Sequence, residues 1–167
     1  RWAGGRASSP IRLAAGALAS GTPTIDARLR NFVANGRIEK DGIRLRIAPT
    51  AIRASGFNGQ LDGQADAGSG SFAANLRGGF TGLEFRGLGR LDLNAVLRLA
   101  KPARGSMVVN GTGRATMRRL DNSFLQGLGE GLPVINSDFA FAGSGQIALR
   151  NLRLTAPALT LAGGGLV

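Results

Sequence analysis

Apolar and polar residues alternate along most of this chain. From Arg90 to Ala100, Leu91, Leu93, Ala95, Leu97 and Leu99 share one phase. Arg90, Asp92, Asn94 and Arg98 take the other, interrupted only by Val96. A period of two puts successive side chains on opposite faces of a strand, whereas on a helix it would scatter these leucines around the axis. Eleven residues at about 3.3 Å each predict a strand of roughly 36 Å. Gly105 to Arg119 predicts a second long strand, with Val109, Gly111, Gly113, Ala115 and Met117 in phase. Shorter strands are expected at Ile11–Ser20, Thr24–Arg30, Ile43–Ile47, Ile52–Ser55, Phe57–Ala65, Phe72–Leu76, Phe80–Phe85, Asp138–Phe141, Gly145–Leu149 and Leu159–Leu161. Arg1 to Pro10 is small and polar, without a period.

Turn residues divide these runs. Lys40-Asp41-Gly42 lies between two alternating segments and predicts a tight hairpin. Asn35-Gly36 reads as another turn, and Asp66 to Ser71 as a loose Gly/Ser turn and a weak sub-boundary. Pro49 and Lys101-Pro102 are expected to stop strands. Phe32 is out of phase with Leu29, which marks a bulge or a strand end. Leu152 and Leu154 are one residue out of phase with Ile147 and Leu149, so Asn151 is expected at a turn or bulge. Gly163 to Gly165 should close the unit. One segment has helical spacing: Leu120, Phe124, Leu125 and Leu128 follow an Asp121-Asn122 start and precede Pro133. A short helix over about 121–128, acting as a cap or plug, is predicted there. Leu45–Gly56 and Leu152–Gly163 both read strand, Ala-Pro turn, strand, glycine, a weak repeat of the kind found in stacked architectures.

Composition narrows the chemistry. Cysteine and histidine are both absent, which removes disulfides, thiolate nucleophiles and the commonest general base and metal ligand. The ten acidic residues stand singly, apart from Glu39 and Asp41 at a predicted hairpin tip. Gly111-Thr112-Gly113 and Gly143-Ser144-Gly145 resemble phosphate loops, but neither has the Lys-Ser/Thr ending. No catalytic residue, metal site or cofactor is expected, and the protein is read as a non-enzyme. The formal charge is +11, and Lys40 and Lys101 are the only lysines among 21 cations. Singly scattered arginines fit a solvated strand face, or one tuned to anionic lipid, better than a nucleic-acid surface. No apolar stretch approaches the roughly 20 residues that span a bilayer. The chain starts at Arg1 without Met and ends in an apolar run, so residues 1–167 are expected to be one fragment of a longer exported polypeptide.

Twenty-seven glycines in 167 residues, without a period of three, exclude collagen. A strand face made of Leu, Ile, Phe, Ala and Gly fits the core of a sandwich or barrel. It equally fits a strongly curved sheet around a long apolar ligand, where small side chains leave room. In the second case the trough would be lined by Leu91, Leu93, Leu97, Leu99, Val109, Met117, Phe139, Phe141, Ile147 and Leu149, with Ala95, Ala115 and Gly113 leaving width for an acyl chain.

The stretch Asp138 to Gly165, with Gly145-Gln146-Ile147-Ala148-Leu149, Asn151-Leu152-Arg153-Leu154, an Ala-Pro turn, Leu159-Thr160-Leu161 and Gly163-Gly164-Gly165, resembles the AsmA-like repeating β-groove proteins of Gram-negative bacteria. These include the TamB and YdbH types, and the Leu91–Leu99 and Met107–Met117 strands are most similar to the YdbH type. The resemblance covers about residues 85–167. It implies an all-β fold, a long curved antiparallel sheet forming an open groove. It also implies a periplasmic rod, anchored in the inner membrane through a segment outside this chain and reaching toward the outer one, that carries phospholipid acyl chains between the two membranes. The partners implied are phospholipid, neighbouring repeats of the same chain, and an outer-membrane lipoprotein or other membrane partner. Two alternatives stay open at this point: a β-solenoid passenger or adhesin-type module, and a closed β-sandwich binding domain.

Overall fold

Hairpin follows hairpin along the whole chain, and every strand pairs with its neighbour in sequence. The computed structural model describes residues 5–19, 22–123, 126–127, 131–141 and 147–166. Ten strands form one antiparallel sheet in the order β1 to β10: β1 Arg6–Ala17, β2 Arg30–Asp41, β3 Arg44–Ala54, β4 Phe57–Asp66, β5 Ser71–Phe85, β6 Gly89–Lys101, β7 Val108–Leu120, β8 Val134–Phe141, β9 Ile147–Ala156 and β10 Leu159–Leu166. Strand content is 74%, and the sheet is open, not closed into a barrel. The all-β fold predicted from alternation is therefore the fold observed. A meander of antiparallel pairs is also unlike the parallel rungs of a β-solenoid.

The hairpin at Asp41 forms as expected. Asp41 pairs with Arg44, leaving a two-residue loop in which Gly42 has φ +60°. Positive φ at the first loop position matches the right-handed strand twist, and glycine takes it without steric cost. At 66–71 the Asp66 carboxylate closes a second hairpin by accepting N–H bonds from Gly68 (2.9 Å) and Ser69 (2.8 Å). Asn151 has φ +53° and sits in a register shift of β9 against β8, the bulge that the phase change predicts.

Several local expectations are corrected. Residues 6–10, read as aperiodic, begin β1. Thr24–Arg30 is not a strand: Pro23–Asp26 forms a helical turn, α1, and β2 starts at Arg30. Pro23 has no N–H for a ladder, suits a helix start, and delivers Ile25 into the core. Asn35-Gly36 is not a turn. Both lie within β2, where the Thr50 side chain occupies the space that a Gly36 side chain would need. Pro49 does not end β3, because a register shift between Ile47 and Thr50 takes it out of the ladder, where its missing N–H costs nothing. Phe72–Leu76 and Phe80–Phe85 belong to a single strand, β5, bulged between Phe80 and Leu83. Gly163–Gly165 lie inside β10, with Gly165 opposite Leu149. The two repeat copies do not correspond: Ala48-Pro49 sits in a bulge, Ala156-Pro157 at a hairpin. The helix expected at 121–128 lies partly outside the described residues. Within them Gln126 N–H donates to the Asn122 carbonyl (3.0 Å).

The core lies on one face, toward the end of the sheet that α1 covers. Leu83, Leu91, Met117 and Leu120 form one buried cluster, with Ile25 packed against it. Ala34, Ile52 and Phe57 form a second. Phe80 touches both, its ring 4.7 Å from that of Phe57.

A candidate apolar trough

Ladder register sets the inner face row by row. In one transverse row Leu61 pairs with Leu76, Leu76 with Leu97, Leu97 with Gly111, Gly111 with Phe139 and Phe139 with Leu149. In the next, Ile38 pairs with Ile47, Ile47 with Gly63, Gly63 with Ala74, Ala74 with Leu99 and Leu99 with Val109. The described side chains in these rows are neither buried nor open; they are half-buried. A sandwich would bury them under a second sheet. Among the described residues no second layer covers them, and only α1 caps one end. Strand arginines such as Arg46, Arg77, Arg98, Arg114 and Arg150 occupy the exposed opposite phase.

Residues of β1 (Arg6 to Ser8) and of β6 (Ala100, Lys101) line the same cavity, with β2 to β5 contributing its floor. Its volume is about 1060 Å³, and it lies at the end of the sheet away from α1, between two outward-facing rows that carry Glu39, Arg46 and Gln64 on one side and Asp41, Arg44 and Asp66 on the other.

The proposed lining residues divide into three groups. Leu97, Leu99, Val109, Phe139 and Leu149 share the half-buried inner face. Leu91 and Met117 lie on that face too, but they do not border open space. They are 7% and 2% exposed, in the cluster that α1 closes, and Leu93 packs against the same cluster. The side chains of Phe141 and Ile147 lie outside what the structure describes. Their backbones extend the second row, with Val109 opposite Phe141 and Phe141 opposite Ile147.

Glycine on this face serves packing as much as width. A Cβ on Gly111 would lie 2.7 Å from Phe139 Cζ and 2.9 Å from Leu97 Cδ2. Phe139 therefore lies across β7, and its ring also borders Gly113, where an added Cβ would lie 3.5 Å from Cε1, so it takes up part of the width expected there for an acyl chain. Phe57 does the same across Gly59 and Gly78, each of whose Cβ positions would be 2.7 Å from its Cζ. The rings cover backbone that no side chain shields, the aromatic rescue of strand glycines.

Polar groups fix the capped end. The Asp92 carboxylate accepts from Gly82 N–H (2.8 Å) and from Arg118 Nε (2.7 Å). The Gly82 bond, then the Arg118 guanidinium, holds its pKa below the usual carboxylate value. From the loop after α1, Arg28 donates to the Gly82 carbonyl, and its stem crosses Gly56. Alternation could not reveal these contacts, because the partners are distant in sequence. Among the described residues no buried side-chain nitrogen or oxygen lacks a hydrogen-bond partner. The inner face thus offers hydrocarbon without orphaned polar groups. No protein-family model matches the chain, and no curated protein or solved structure is found to be similar to it.

Proposed function

We propose that this chain is a non-catalytic segment of a bridge-like protein that carries phospholipid acyl chains through the periplasm between inner and outer membranes. One observation carries the reading: an open ten-stranded sheet leaves a multi-strand hydrocarbon face half-covered, with water-facing arginines behind it. Such a face needs no catalytic group. Each CH₂ of a lipid tail that it takes from water contributes about 0.8 kcal/mol, so several methylenes hold a tail without polar contacts. The resemblance of residues 138–165 to repeating β-groove proteins supports the compartment and the route.

Leu97 is the informative position, since it lies on the trough row and outside both buried clusters. A photoreactive side chain at Leu149, three strands away in that row, should crosslink phospholipid when the protein is produced in a bacterial periplasm. Leu97→Asp should abolish the crosslink, because an ionised carboxylate is not tolerated against hydrocarbon. Undiminished crosslinking in a Leu97→Asp protein with an unchanged strand-type circular dichroism spectrum would refute the trough.

A further inference from the structure

The arginines behind the trough are scattered in the sequence but aligned in the fold. Arg53 pairs with Asn58, Asn58 with Gly79, Gly79 with Asn94, Asn94 with Arg114, Arg114 with Asn136 and Asn136 with Arg153. This row crosses β3 to β9 on the water-facing side of the sheet and presents guanidinium and amide groups in turn. At Gly79 the missing side chain lets Asn94 Oδ1 lean over β5. In the next row Gln60 pairs with Arg77, Arg77 with Val96, Val96 with Thr112, Thr112 with Asp138 and Asp138 with Arg150. A cavity of about 700 Å³ lies over these two rows, spanning β4 to β9.

These groups are not used up by the fold. Among the described residues, Arg53, Arg77, Arg114, Arg150 and Arg153 join no ion pair, and the amides of Asn58, Gln60, Asn94 and Asn136 make no hydrogen bond within the chain. Asp138 is the carboxylate that borders the cavity, and it accepts from Asn151 Nδ2 at 2.6 Å. A guanidinium presents a fork of donors that matches a carboxylate. An amide both donates and accepts, as a sugar hydroxyl does. Six interstrand steps of about 4.8 Å make the first row roughly 29 Å long, so a chain laid across the strands meets both kinds of group in turn. A phosphate polymer offers acceptors only and would leave the amide oxygens without donors. Proteins that hold single-stranded nucleic acid combine a basic groove with aromatic side chains for base stacking, and no aromatic side chain lines this cavity.

We propose that this face binds a linear acidic polysaccharide, one that carries carboxylates among its hydroxyls. Arg114 and Arg153 pair with the carboxylates, and Asn58, Asn94 and Asn136 hydrogen-bond the hydroxyls alongside. Val96, 41% exposed between the two rows' polar groups, meets the apolar side of a sugar ring. The charge is complementary, and the amides add the donor-and-acceptor chemistry that a bare polyanion does not need. The site lies on the side of the sheet opposite the Leu97 row and does not depend on the trough.

The test is direct binding by the 167-residue chain at about 0.15 M salt, where long-range attraction is screened. Fluorescently labelled oligomers of polygalacturonate, dextran, polyphosphate and thymidylate, of matched length, are titrated with protein and followed by anisotropy. The wild type should bind polygalacturonate about tenfold or more tighter than each of the other three. Asn94→Ala with Asn136→Ala leaves the charge unchanged. It should weaken polygalacturonate binding by about tenfold, the scale of two hydrogen bonds, and leave polyphosphate binding as it was. Arg114→Gln with Arg153→Gln should weaken binding of both polyanions. Arg12→Gln with Arg104→Gln, an equal loss of charge away from the rows, should leave polygalacturonate affinity within about twofold, because distant charges are screened. Circular dichroism checks that each variant keeps the strand spectrum. Polyphosphate or thymidylate bound as tightly as polygalacturonate by the wild type would overturn the proposal. So would polygalacturonate binding that the double Asn variant leaves unchanged, or no binding of polygalacturonate by the wild type. None of these outcomes bears on the trough.

Discussion

Two glycines on one strand should respond in opposite senses to the same substitution. Gly111 and Gly113 both face inward on β7, two residues apart. A methyl group on Gly111 would press on the Val96 backbone carbonyl, on Phe139 Cζ at 2.7 Å and on Leu97 Cδ2 at 2.9 Å. The side chains could rotate aside, but the carbonyl belongs to the β6–β7 ladder. On Gly113 the same methyl would meet Phe139 Cε1 at 3.5 Å, then Asn94 O and Leu93 Cδ1 at 3.9 Å, all ordinary contacts. Overpacking costs about 1–3 kcal/mol, whereas Gly→Ala at an unstrained site gains about 0.4–1 kcal/mol by restricting the unfolded chain. Gly111→Ala should therefore lose about 1–2 kcal/mol net, while Gly113→Ala should be neutral or gain a few tenths. For a chain of this size 1 kcal/mol moves the midpoint by about 2–4 °C, so Gly111→Ala should lower Tm by about 2–8 °C. Thermal melts followed by circular dichroism, with urea titrations for ΔG, read both variants. Equal destabilisation by the two, or a neutral Gly111→Ala, would show that Phe139 does not lie across β7 as described.

Two further predictions concern the capped end. Asp92 has a folded pKa below its ordinary value of 3.8, so its bonds stabilise the fold above that value and the contribution fades as pH falls through the lower folded one. Asp92→Asn should cost about 1 kcal/mol at pH 7, and the gap from wild type in urea should narrow progressively as pH falls below 3.8; a gap that does not narrow on acidification would contradict the assignment. Arg28→Ala removes both the bond to the Gly82 carbonyl and the stem packed over Gly56, and should cost about 1–2 kcal/mol and hasten limited proteolysis near α1. Arg28→Met, which keeps the stem, should recover part of the stability, and protection equal to wild type in Arg28→Ala would show that Arg28 does not tie α1 to the sheet.

Strand content and face assignment were legible in the sequence wherever alternation ran unbroken, as it does from Leu91 to Leu99. Both depend on the two-residue period of an extended backbone, which each strand expresses by itself. The hairpin at Gly42 and the bulge at Asn151 were legible for a related reason: one needs a residue tolerant of positive φ, and the other shifts the local phase. Where a local signal competed with a distant neighbour, the neighbour decided. Asn35-Gly36 carries a turn signature, yet Thr50 fills the space beside Gly36 and keeps it in a strand. Pro49 carries a stop signature, yet a bulge removes the need for its N–H. Thr24 to Arg30 alternates, yet Pro23–Asp26 forms a helical turn that packs Ile25 against the Leu83–Met117 cluster.

The sequence by itself determined that the chain forms strands with one apolar face, and it placed Leu97, Leu99, Val109, Phe139 and Leu149 on that face. Only the tertiary structure decided which part of the face is buried core and which stays half-covered. Leu91 and Met117 share the phase of Leu97, but α1 folds over them. Arg53 and Arg153, 100 positions apart in the sequence, share a row only because the strands between them stack them into it. A period of two assigns a side chain to a face. It carries no information about what covers that face, because the cover and the opposite rim come from residues many strands away.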